Sequence, residues 1–131
     1  RFVIVILLLS SLAFAVQVIK QCGKTPRYSE AYIVSPNYPR KTPKHTLCNY
    51  IIEIPRPGKI AYALTELNMT YTPFCEKESV SIIAGGKYTR FACSNFNSSI
   101  FYTSLHRMIV VFKSDEEQHE RGFKIHYFTY K

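Results

Sequence analysis

Ile33-Val34-Ser35-Pro36-Asn37-Tyr38-Pro39 leads through a basic stretch into Cys48-Asn49-Tyr50-Ile51-Ile52-Glu53-Ile54. In the second run Cys48, Tyr50, Ile52 and Ile54 alternate with Asn49, Ile51 and Glu53. That two-residue period belongs to a strand with one more apolar face. The first run closes on prolines that restrict the backbone and mark a turn. Further along, Pro55-Arg56-Pro57-Gly58 turns the chain, and Ile60, Tyr62 and Leu64 alternate with the smaller Ala61, Ala63 and Thr65. Ser79 to Ile83 and Lys87 to Cys93 flank Gly85-Gly86, a hairpin with a glycine turn. Met108, Val110 and Phe112 form one face of another strand, and Phe123, Ile125 and Tyr127 one face of the last. Helical period is sustained nowhere after the N-terminal apolar run. Short strands with regular turns predict an all-β sandwich. Ten Tyr, nine Phe and no Trp supply the aromatic part of its core.

The chain opens on Arg1, an apolar run from Phe2 to Leu9, and Ser10-Ser11-Leu12-Ala13-Phe14-Ala15. A positive start, an apolar stretch and an Ala-x-Ala ending read as a secretory signal peptide over 1–15, cleaved after Ala15. The run is shorter than the about 20 apolar residues a spanning helix needs, so stable membrane insertion is not expected. No Met precedes it, so the sequence reads as lacking its first residues. Residues 16–21 then form an N-terminal arm, and 22–131 one domain. Secretion gives Cys22, Cys48, Cys75 and Cys93 an oxidising compartment, where an even count reads as paired. Sequence leaves three connectivities open. With no CxxC pair, a zinc ribbon or a thioredoxin-like redox site is not expected. Each bridge contributes roughly 3 kcal/mol by constraining the unfolded chain.

Read in order, Cys22-Gly23, Ser35-Pro36-Asn37-Tyr38-Pro39, Cys48 with Tyr50, Gly58-Lys59-Ile60, Cys75, Phe91-Ala92-Cys93, Val110 to Asp115 and Gly122-Phe123 resemble a CUB domain. The resemblance runs from Cys22 to about Tyr130. It implies a jelly-roll-like sandwich of two antiparallel sheets, with the disulfides paired first to second and third to fourth. Tyr50 stands where the family usually has Trp, and Ser94 where it usually has Gly. Many CUB domains bind calcium through two carboxylates flanking the third cysteine and the Asp of a Ser-Asp pair. Those positions here hold Thr70, Glu78 and Asp115, so the resemblance implies a degenerate site. Calcium takes six to eight oxygen ligands with carboxylate charge, and one carboxylate is lost. No metal and no cofactor are expected.

Catalytic signals are sparse. His119-Glu120-Arg121-Gly122-Phe123 starts like a zinc-protease motif but lacks the second His. Gly-x-Ser-x-Gly and a phosphate loop are both missing. His45, His106, His119 and His126 lie near turns or on the polar side of a strand and read as solvated. Asp115, Glu116, Glu117 and Glu120 read as a charged loop that offsets Lys113, Arg121 and Lys124. Asn68-Met69-Thr70 and Asn97-Ser98-Ser99 are two N-glycan sequons, both expected between strands.

The formal net charge is +8, and Lys20, Lys24, Arg27, Arg40, Lys41 and Lys44 crowd the first part of the chain against the single acid Glu30. A basic field draws polyanions. Outside the cell these are sulfated glycans, anionic membranes and acidic proteins, not nucleic acid. Arg40, Lys41 and Lys44, with His45, form a compact donor set around Pro43 for sulfate or carboxylate. The favoured expectation is a stand-alone secreted binding module, similar in layout to the single-domain spermadhesins. It would recognise a sulfated glycan or an extracellular protein, without catalysis. The alternative is an accessory module at the N-terminus of a longer secreted protease or receptor. Oligomeric state stays open.

Overall fold

The computed structural model describes residues 15–85, 87–116 and 121–131. The expected leader, residues 1–15, lies outside them except for Ala15. Eleven strands follow in order: β1 Gln17–Ile19, β2 Gly23–Lys24, β3 Glu30–Val34, β4 Leu47–Glu53, β5 Lys59–Asn68, β6 Glu78–Ala84, β7 Lys87–Ala92, β8 Asn95–Phe96, β9 Phe101–Tyr102, β10 Arg107–Ser114 and β11 Gly122–Tyr130. One 3₁₀ turn, Pro73–Cys75, is the only helical element among the described residues. None of their helices is long and apolar enough to cross a membrane.

The strands build two packed sheets. One runs β1-β3-β11-β5-β8, with β9 also on β5; the other runs β2-β4-β10-β6-β7. Both are mixed, which differs from the wholly antiparallel sheets expected. β1 pairs with β3 in parallel and β2 with β4 in parallel, while the other pairings are antiparallel. The cause is the segment ahead of β3. It lies along one sheet edge as β1, is tied at Cys22 to Cys48 of β4, and continues along the other sheet as β2. What reads in sequence as an arm over 16–21 thus contains an edge strand.

The alternating faces fill the space between the sheets. Tyr50, Ile52, Ile54, Ile60, Tyr62, Met108, Val110, Phe112, Phe123, Ile125 and Tyr127 are each at most 1% exposed. Burying one such side chain contributes about 1.5–3 kcal/mol. Ala61 and Ala63 are buried as well, although they face outward. Phe128 and Tyr102 stand opposite Ala61 on neighbouring strands, so the small side chain sits between larger ones. The second bridge, Cys75–Cys93, ties the 3₁₀ turn to the segment after β7.

Tyr50 is where the core meets the functional end. Its ring lies edge-on to Phe123, 6.1 Å between centroids, and its hydroxyl donates to the Val34 carbonyl at 2.8 Å. Burial pushes the Tyr50 phenol well above its ordinary range. Burial, with some repulsion from Tyr28, also pushes Tyr127 up to about 12. A phenol with a raised folded pKa stabilises fully below its unfolded value of about 10 and loses that contribution above it. The melting temperature should therefore be flat with respect to these groups from neutral pH to about 9 and fall between about 10 and 12. Tyr50→Phe should cost about 1 kcal/mol at neutral pH, because the Val34 carbonyl loses its donor, and should make the alkaline fall shallower. Thermal melts of both proteins across that range measure this; identical alkaline slopes would contradict it.

Candidate functional site

The Ser-Pro-Asn-Tyr-Pro turn leaves β3 and is fastened to the start of β11. Ser35 N donates to the Phe123 carbonyl at 3.1 Å, Phe123 N donates to Ser35 Oγ at 3.0 Å, and Ser35 Oγ donates to the Arg121 carbonyl at 3.4 Å. Two overlapping turns follow, Tyr38 N to Ser35 O at 3.1 Å and Arg40 N to Asn37 O at 2.7 Å. Asn37 takes a left-handed φ of 68°, which Asn tolerates better than most residues. The Tyr38 hydroxyl donates to Glu66 on β5. Arg121 lies 3.5 Å from the same carboxylate and 5.6 Å from the Tyr38 ring centroid. Partial burial, then the Glu66 carboxylate, raises the Tyr38 phenol's pKa, with Arg121 opposing.

The basic stretch beyond this turn is held at both ends. Thr42 is fully buried and packs at Gly122, where an added Cβ would stand 3.0 Å from its methyl. Ser114 Oγ donates to the Pro43 carbonyl at 2.6 Å and accepts from Thr46 N at 3.0 Å. His45 N donates to the Asp115 carbonyl at 2.8 Å. Arg40, Lys41 and Lys44 project from this clamped loop and are all exposed. Among the described residues none of the three is in an ion pair.

Of the acidic run, only Asp115 and Glu116 are described. Asp115 begins directly against His45, so the exposed Asp115 and Glu116 adjoin the Lys44 side of the basic loop. Glu117, Glu120 and His119 lie outside the described residues. Among the described residues Arg121 pairs with Glu66, a partner 55 positions back that no local pattern announces. Lys124 packs on Tyr32, its Nζ 4.3 Å from the ring centroid.

Thr70 is half-buried, Glu78 is 1% exposed at the start of β6, and Asp115 is exposed. Among the described residues no three His, Cys, Asp or Glu side chains converge as a metal-binding group. Thr70 brings no charge, so the donor set does not fit calcium. Asn68 is not between strands: it ends β5, half-buried, paired with Gly122 on one side and Asn95 on the other. Asn97 is exposed just after β8, and its neighbour Ser98 accepts from Leu64 N through Oγ at 2.8 Å. His126 bonds Glu30 at 2.6 Å and His106 meets Arg56 at 3.2 Å. Among the described residues neither histidine bonds a hydroxyl or thiol nucleophile.

Ser35, Gly122 and Ser114 do the positioning, and the paired Ser-Asp and Gly-Phe signatures mark two of them in sequence. A disulfide-stapled jelly-roll sandwich presenting a clamped basic loop is the class of protein these features define. The CUB domain pattern matches residues 22–127, and the chain belongs to the CUB domain family. It is 34% identical over 105 residues to the "Calcium-dependent serine proteinase" of Mesocricetus auratus, covering 72% of this chain and 15% of that protein. It is 29% identical over 115 residues to the human "Signal peptide, CUB and EGF-like domain-containing protein 2", covering 85% and 12%. The chain thus spans a small part of these relatives. Among solved structures, the human MASP-1/3 CUB1-EGF-CUB2 fragment matches with a TM-score of 0.76 at 21% identity, covering 87% of this chain and 44% of that one. The MASP-1 CUB2 domain bound to Ca²⁺ matches with a TM-score of 0.69 at 23% identity, covering 86% and 96%. CUB domains are non-catalytic protein-interaction modules found in proteases and receptors.

Two outcomes follow for this site. Gly122 has φ +97°, and a Cβ there would lie 1.9 Å from Ser35 Oγ. Gly122→Ala should destabilise by about 2–4 kcal/mol through strain and overpacking, read as a lower denaturant midpoint; an unchanged midpoint would contradict the clamp. Millimolar Ca²⁺ should leave the melting temperature where EDTA leaves it. A micromolar site would add about 4 kcal/mol at that concentration, so an EDTA-reversible rise of several degrees would show that Glu78 and Asp115 hold the ion without help from residue 70.

Proposed function

We propose that the chain is a secreted, non-catalytic binding module whose clamped basic loop engages sulfated glycans. One observation carries this reading: Arg40, Lys41 and Lys44 are exposed, and unpaired among the described residues, on a loop fixed by Ser35, Gly122 and Ser114. Cations held in place lose less entropy on binding, and sulfate accepts charge-assisted hydrogen bonds. The mechanism is adhesion, without bond-making. Thr42 inside the loop core and the Tyr38–Glu66–Arg121 contact keep the donors together without neutralising them.

A second reading is supported by coverage. The chain spans 15% of one proteinase relative and 12% of a multidomain one, so an accessory module of a larger secreted protein fits the same surface. In that setting the exposed Phe74 in the 3₁₀ turn and Tyr71 just ahead of it offer apolar contacts to a protein partner. A transcript continuing into a protease or receptor domain after Lys131 would favour it.

Retention on immobilised heparin tests the first reading. Exposed charges are screened within about 10 Å at 0.1 M ionic strength, so elution should be salt-sensitive. Arg40→Ser, Lys41→Ser and Lys44→Ser together should elute at clearly lower salt than the parent. The matched control is Lys59, Arg107 and Lys131, each changed to Ser. They sit at the opposite end of β5, β10 and β11, so their loss should shift elution little. Equal shifts in the two triples would mean that only net charge counts. A parent that elutes at low salt would remove glycan binding and leave a protein partner as the better account.

A further inference from the structure

Lys20 follows β1, whose Ile19 pairs in parallel with Ile33 of β3. That register sets Lys20 beside Val34 and the start of the Ser-Pro-Asn-Tyr-Pro turn. A cleft of about 270 Å³ opens there, lined by Lys20 and Arg40 together with Ser35, Asn37 and Tyr38. A second cleft of about 290 Å³ continues on the other side of Lys20 and reaches Lys24 on β2, past Cys22 and Thr25. Lys20 lines both. Among the described residues no carboxylate lines either cleft, and Lys20, Lys24 and Arg40 are exposed and outside any ion pair.

We propose that Lys24, Lys20 and Arg40 form an anion track that crosses from the edge of one sheet to the edge of the other, with Lys20 as its central cation, and takes successive sulfate groups of an extended glycan. The proposal rests on the glycan reading above and narrows it to a different set of residues, because only one of the three loop cations lies on the track. Each cleft is at or below the roughly 300–1,000 Å³ of a drug-sized site. That suits one sugar residue with its charged group rather than a folded ligand. Two clefts sharing a cation suit a chain that passes from one to the next. The track is built on fixed backbone. β1 is hydrogen-bonded to β3, the Cys22–Cys48 bridge ties the connection to β4, and Thr25 N and Oγ1 both donate to the Ile51 carbonyl at 3.0 and 3.1 Å. Lys44, by contrast, neighbours Asp115 through His45, and that exposed carboxylate weakens the field.

The test uses heparin oligosaccharides of defined length, followed by amide NMR and by fluorescence titration. A hexasaccharide should bind the parent about tenfold more tightly than a disaccharide, since it spans both clefts. Lys20→Ser should weaken the hexasaccharide about tenfold and remove most of the length dependence, while Lys20→Arg should restore it. Lys24→Ser and Arg40→Ser should each lower hexasaccharide affinity, and Lys44→Ser should not. All four positions are exposed, and an unchanged melting temperature confirms that each variant folds. If Lys20→Ser binds like the parent, or if Lys44→Ser costs as much as Lys20→Ser, the track is overturned while heparin retention upholds the loop reading. If the parent ignores heparin yet inorganic phosphate shifts the amides of Lys20 and Arg40, the track stands with a phosphate-bearing ligand and the glycan reading falls. Failure of both probes removes both.

Discussion

The contact of Ser35 with Gly122 is the constraint on which the loop end depends. Ser35 is 1% exposed, and its hydroxyl joins the Phe123 amide to the Arg121 carbonyl across two strands of one sheet. The approach is close enough that only a residue without a side chain fits at 122, and a φ of +97° favours glycine for a second reason. Everything that presents the cations starts from this point. The turn leaves Ser35 with its direction fixed, delivers Tyr38 to Glu66, and swings Arg40 toward Lys20. The return path passes Thr42 over the same glycine and reaches Ser114, which accepts from Thr46 and donates to Pro43. A loop of this length in water would sample many conformations at a large entropic cost on binding. Here that cost is met during folding.

The central strands were legible because each buries one face. Cys48 to Ile54, Met108 to Phe112 and Phe123 to Tyr127 alternate as a half-buried strand must, and the burial follows the alternation residue by residue. The edges were not legible. β1, β2, β8 and β9 have two or three residues each, too few for a period to register. Their existence depends on long-range pairing, and so does the mixed character of both sheets. Asn68 illustrates the same limit. Its sequon looks like a loop signal, yet backbone pairing to Gly122 and Asn95 makes it the last residue of a strand.

The site was half visible for a related reason. A run of Arg40, Lys41 and Lys44 is evident as charge, and the prolines around it indicate restriction. What sequence order hides is which charges become neighbours in space. Asp115 to Glu120 precede Arg121 and Lys124, so they read as the counter-ions of those residues. Folding also brings the Asp115 carbonyl to the His45 amide and Glu66 to Arg121, contacts that sequence order does not announce. Lys20 and Lys24 belong to an apparent arm until β1 and β2 pair with β3 and β4. Their place beside the basic loop is a consequence of two parallel pairings and one disulfide.

The placement of carboxylates bears on why the cations remain unpaired. Glu53 takes Arg27 at 2.6 Å, Glu66 takes Arg121 at 3.5 Å, and Glu30 takes His126 at 2.6 Å. None of these acids lines the clefts around Lys20. A single Glu at position 21 or 37 would relieve the repulsion among Lys20, Lys24 and Arg40, and exposed pairs of that kind are worth up to about 1 kcal/mol. The chain carries Gln21 and Asn37 there, polar residues that can line a cleft without a charge to compete with an incoming anion. Like charges clustered without compensation lower the stability of a folded protein while raising its rate of encounter with polyanions. On this surface that trade suits the glycan-binding role proposed for the loop.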